Sequence, residues 1–106
     1  MNRLEAMATL LAVVDAGSLS AASRKIRVPL ATLSRRVSDL ELHLHARLLV
    51  RTSRRLELTD AGRAYVQACR DILASVEEAE RTATGEYSAA RGDIAVTAPI
   101  VFGRLH

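Results

Sequence analysis

Residues 18–44 read SLSAASRKIRVPLATLSRRVSDLELHL, and their apolar spacing divides the stretch into two short helices around a tight turn. Ala22 and Ile26 give the first helix a small, aliphatic face, and Val28 stands in the turn as an apolar plug. Leu33, Val37, Leu40 and Leu44 follow at steps of four, three and four, which places them on one side of a second helix. Both stripes must then face a common core. Thr32, Arg35, Arg36 and Asp39 fall on the other side, and Pro29 suits the first turn, where a missing N–H costs nothing. This is the layout of a helix-turn-helix, whose second helix can enter a major groove. Taken alone, the stretch reads more simply as a buried helix pair with a solvated arginine face; its surroundings reverse that preference.

Upstream, Leu4, Met7, Leu11 and Val14, thickened by Ala8 and Leu10, predict an amphipathic helix over residues 1–16, with Gly17 as its stop and Ser18 or Ser20 as the next N-cap. Downstream, His45 occupies a position that favours a left-handed residue. Residues 48–59, LLVRTSRRLELT, alternate as two short strands around a basic tip, a wing beside the helix pair. Arg47, Arg51, Arg54 and Arg55 make phosphate contact a better reading of that tip than a merely solvated turn.

Thr59 as N-cap and Asp60 in the first turn open a long helix with no proline until past Tyr87, predicting about 25 to 29 residues and roughly 40 Å. Tyr65, Ala68, Ile72, Val76 and Ala79 step along one face as a seam that invites a second copy; the alternative is an edge helix whose alanines face water. From Ser88 a linker-like run leads to Ile94–Thr97, a lone strand ended by Pro99. The expected organisation is a DNA-binding head over residues 1–58, a dimerisation helix over 59–87, and a hinge with the truncated start of a further domain over 88–106.

The chain has 106 residues, 49% of them hydrophobic, enough for one small core without staples. A single cysteine, Cys69, excludes an internal disulfide framework, and the start carries Arg3 and Glu5 rather than a secretion signal. The longest apolar run, Leu10–Val14, is far short of the roughly 20 residues that cross a bilayer. A cytoplasmic chain without a membrane partner is expected. Residues 1–58 hold ten Lys/Arg against five Asp/Glu, a net of +5, whereas residues 59–106 hold five against seven, a net of −2. A polyanion-binding head on a tail with another task fits that separation.

With these residues placed, the chain resembles the N-terminal region of a LysR-type transcriptional regulator. The resemblance rests on Gly17-Ser18, Ser20-Ala21-Ala22, Val28, Leu33 to Val37, Leu40-Glu41, Leu44, Leu48-Leu49, Arg51-Thr52, Arg54 and Leu58 to Gly62, with residues 92–105 similar to the opening of that family's effector domain. It implies a mainly α fold, a winged helix-turn-helix head followed by a long dimerisation helix. It also implies double-stranded operator DNA as partner, a homodimer with a tetramer as the expected assembly of the full-length protein, and a small-molecule inducer only for the missing effector domain. The family's DNA-contacting positions fall on Leu30, Ala31, Thr32, Ser34, Arg35 and Arg54. The chain departs from the family at Pro29 and Leu30, where Ser then Gln or Pro is common, at Arg27 and His45, which replace frequent glycines, and at Ser23, which replaces an alanine.

No catalytic or metal constellation assembles and no cofactor is called for: His43 and His45 point to different sides, and Cys69 lies amid alanines as a small packing residue. The competing reading is a protein-interaction module, with the head docking a protein and the long helix pairing with another. The arginine, threonine and serine face of the second helix favours DNA.

Overall fold

The computed structural model describes residues 1–50 and 55–85. Among them are four helices, α1 (Arg3–Ala16), α2 (Leu19–Ile26), α3 (Leu30–Leu44) and α4 (Asp60–Ala83), so the chain is mainly α. Local chemistry sets most of their ends. The Asn2 side chain accepts the Glu5 N–H and starts α1; Gly17, at φ 94°, ends it by returning its N–H to Val13 and Val14. Ser18, rather than Ser20, then caps α2 by accepting the Ala21 N–H at 3.0 Å.

The α2–α3 turn needs a left-handed residue and has Arg27 at φ 59°. Ser23 braces the strained turn, since its hydroxyl donates to the Val28 carbonyl at 2.6 Å. Pro29 lies just before α3 as its N-cap, in extended conformation, rather than within the first turn. His45 closes α3 at φ 55°. Because a side chain in this region is sterically disfavoured, Arg27→Gly and His45→Gly should each raise stability by about 0.5 to 1 kcal/mol in urea unfolding. A drop for either variant would mean that the side chain contributes more than the turn loses.

The core has two adjoining clusters, both centred on α1. Ala6, Leu10, Leu40, Leu48 and Val66 form one, with Leu11, Val14, Leu44, Leu58 and Tyr65 packed against it; Val13, Ala22 and Leu33 form the other, flanked by Ala16, Leu19, Val28 and Leu56. Of the stripe predicted for α3, Leu33, Val37 and Leu40 are buried and Leu44 is half-buried against the core, and Val28 packs beneath the turn. Two expectations shift. In α1 the buried residues are Ala6, Thr9, Leu10 and Val13; of the predicted face only Leu10 is among them, while Met7, Leu11 and Val14 are half-buried and Leu4 and Ala8 exposed. This helix is apolar on adjacent faces, so spacing alone does not fix its rotation. Ile26, placed with Ala22 on the inner face, is 39% exposed.

After α3 the chain turns back on itself through an antiparallel bridge between Leu49 and Leu58, with the Val50 N–H donating to the Glu57 carbonyl at 2.9 Å. The two predicted strands amount to this bridge among the described residues; the rest of the tip, with Arg51 and Arg54, lies outside them. Thr59 caps α4, its Oγ accepting the Gly62 N–H at 2.9 Å. The helix is 24 residues long and stops at Ala83, with Gly85 at φ 83° just beyond, short of the predicted end near residue 87. Absence of proline was the wrong criterion there, because a glycine ends a helix as readily. Residues 1–73 form one compact unit. In the helical residues 74–83 of the second unit no side chain is buried. The hinge and the Ile94–Thr97 strand lie outside the described residues.

Candidate nucleic-acid interface

Two facts set the presentation of α3. Leu33, Val37 and Leu40 are all but fully buried, which locks the rotation of the helix. Its first turn closes on the Pro29 carbonyl, which accepts the N–H groups of Thr32 and Leu33 at 3.0 and 3.1 Å. Arg35 consequently points away from the core and is exposed. Ala31 is exposed beside it, and Thr32 and Ser34 are half-buried. Leu30, the first residue of the helix, is 45% exposed. The five positions assigned to base or backbone contact thus share the first two turns of one rigidly held helix.

Arg36 is different. A helix turns about 100° per residue, and that step carries this guanidinium toward α1, where it lies 3.4 Å from Thr9 Oγ1 and 3.6 Å from Glu5 Oε2. It is half-buried and ties α3 to α1 rather than extending the polar face with Arg35. In its place the structure supplies three cations whose place on the surface net charge alone does not give. Arg24, Lys25 and Arg27 are exposed at the end of α2 and in the turn, and Arg24, Arg27 and Arg35 make no ion pair among the described residues. The run RKIR was the available signal.

The hairpin is anchored by an acid. Glu41, 6% exposed, accepts the N–H groups of both Leu48 and Leu49 on Oε2 at 2.7 and 3.1 Å, and its Oε1 lies 3.8 Å from the Arg47 guanidinium. Thr59 adds a second anchor by donating its hydroxyl to the Arg47 carbonyl at 2.6 Å. Arg55, at the described edge of the tip, is exposed.

Within α4, Gly62, Val66 and Cys69 face the core. Tyr65 packs against the same core, whereas Ala68, Ile72 and Ala79 are exposed and Val76 is half-buried, so the predicted seam divides between the two environments. Arg70 grips Asp15 on α1 through two hydrogen bonds of 2.7 and 3.3 Å, which holds the Asp15 carboxyl below its ordinary range. Burial pushes the Cys69 thiol up, so it stays protonated and unreactive at neutral pH. No single helix among the described residues is long and apolar enough to cross a membrane.

A family profile described as bacterial regulatory helix-turn-helix protein, lysR family, matches residues 4–63. An HTH-type transcriptional repressor of Pseudomonas aeruginosa is 44% identical over 98% of this chain and 33% of its own length. The transcriptional activator AaeR of Escherichia coli is 41% identical over 74% of this chain and 25% of its own. The BenM DNA-binding domain, solved in complex with benA site 1 DNA, superposes with a TM-score of 0.77 at 28% identity, over 83% of this chain and 98% of that one. The chain spans about a third or less of the length of the curated relatives it matches. It belongs to the lysR family of bacterial regulatory helix-turn-helix proteins.

Proposed function

We propose that this chain is the operator-reading part of a transcriptional regulator, binding double-stranded DNA as a homodimer with α3 in the major groove and the hairpin tip on the flanking backbone. The observation that carries the reading is the exposed Arg35 on a helix locked by its buried opposite face, beside the exposed cations of the α2–α3 turn. The BenM complex supports the same use of a like-folded domain. The division proposed is a head to residue 58, a pairing helix that is α4 and ends at Ala83, and a hinge beyond.

Base and backbone contacts should separate by mutation. Removing a bidentate base contact costs about 1 to 3 kcal/mol and relaxes one position, whereas removing a phosphate contact weakens all sequences alike. Selection from random duplexes should therefore show Arg35→Ala flattening one symmetric position of the motif and Arg54→Ala leaving the motif intact at lower affinity. If Arg51, Arg54 and Arg55 each neutralise about one phosphate, a dimer makes about six such contacts and has a log–log salt slope near −5. A slope near zero would favour a protein-docking module instead.

Dimerisation draws its support from Ile72, 41% exposed, with Ala68 and Ala79 exposed at helical spacing along α4. The double variant Ile72→Asp, Val76→Asp should sediment as a folded monomer while the parent sediments as a dimer. A parent already monomeric at high micromolar concentration sinks the dimer, and an enriched motif without two-fold symmetry counts against it equally.

A further inference from the structure

The α2–α3 turn carries an apolar edge that the core does not use. Ile26 is 39% exposed and Leu30 45% exposed, and Pro29 and Ala31 between and beside them are exposed too. Arg27 and Arg35 border the edge, and neither makes an ion pair among the described residues. A single exposed leucine is ordinary, but apolar side chains gathered within six residues at the leading end of a reading helix are placed where base edges would meet them. Leu30 has no hydrogen-bonding atom in its side chain, so it cannot distinguish bases by donors and acceptors. What remains in the major groove for such a group is the thymine C5 methyl. The flanking cations select a polyanion over an apolar protein partner.

Resting on the proposal that α3 enters the major groove, we infer that Leu30 is a specificity-determining residue that reads a thymine methyl in each half-site. Burying one methyl group at a protein contact corresponds to about a fourfold change in affinity. The test uses the 106-residue chain and its own enriched duplex, in which each thymine is replaced in turn, symmetrically in both half-sites, by deoxyuridine. That change removes the methyl and leaves base pairing and charge intact. At one symmetric position the dissociation constant should rise about fourfold per half-site, and in Leu30→Ala the same replacement should have no effect. Leu30→Ala should keep the parent's salt slope, since no phosphate contact is removed, and circular dichroism should show its helices intact.

An enriched half-site without thymine overturns the assignment, as does a parent indifferent to every replacement or a Leu30→Ala chain that keeps the parent's discrimination. A chain that enriches and binds no duplex overturns the groove reading itself and this inference with it. Binding that ignores the methyl overturns the inference alone.

Discussion

Replacing Gly62 with alanine is expected to cost the fold about 2 to 4 kcal/mol, although alanine is the better helix former by about 1 kcal/mol. A Cβ at this position would stand 2.1 Å from the Leu48 carbonyl oxygen, 3.0 Å from the carbonyl carbon and 3.2 Å from the Cα. All three atoms are backbone, so no side-chain rotation relieves the overlap. The first turn of α4 would have to lift off the start of the hairpin. That movement stretches the hydrogen bond from the Thr59 N–H to the Leu48 carbonyl, now 3.0 Å, and loosens the buried Leu48 and Val66. Urea unfolding of Gly62→Ala beside Ala61→Gly, an exposed neighbour in the same turn, separates the overlap from helix propensity. The control should lose no more than about 1 kcal/mol. A Gly62→Ala chain within that margin of the parent would mean that the junction is looser than this geometry describes.

The second large effect is expected at Glu41. Its Oε2 satisfies two backbone N–H groups in the interior, and leaving a buried donor without its acceptor costs about 1 to 3 kcal/mol. Glu41→Ala should therefore lose about 3 to 5 kcal/mol. Glu41→Gln retains a carbonyl oxygen that can accept from both amides, without the added strength of a charge, and should lose about 1 to 2 kcal/mol. Arg47→Ala should lose less than about 1 kcal/mol, because that guanidinium is 68% exposed and solvent screens the pair. The ranking carries the test. Equal losses for Ala and Gln would show that the two amide bonds are not what Glu41 supplies, and an equal loss for Arg47→Ala would show that the ion pair is. Because these bonds set the base of the hairpin, Glu41→Gln should also weaken DNA binding without altering the selected motif.

Some of this was legible along the chain. The second helix of the motif, its buried Leu33–Val37–Leu40 stripe and its outward Arg35 follow from spacing, because a stripe bounded by polar residues allows one rotation only. Gly17, His45 and Thr59 follow from the sequence as caps and stops, and Ser18 as one of two possible caps for α2, because capping is settled by groups within four residues of one another. The end of α4 is equally local, in Gly85, and does not depend on a proline.

The chain by itself thus determined the helices, their turns and the exposed arginine of α3, all decided by neighbours in sequence. Only the tertiary structure decided which side of α1 turns inward, since Leu10 and Leu11 are equally apolar and the choice depends on Leu40, Leu48 and Val66 arriving from far along the chain. It also decided that Arg36 belongs to Thr9 and Glu5, twenty-seven or more residues away, and not to the polar face beside Arg35. Glu41 sits four residues after Val37 on the edge of an apolar stripe, a place where a carboxylate reads as exposed until the two amides it serves are folded against it. Gly62 reads as an ordinary residue of a helix's first turn until the Leu48 carbonyl is brought within reach of its missing Cβ. Periodicity and capping act over one or two turns, whereas burial of a charge and the close approach of two backbones exist only once distant segments meet.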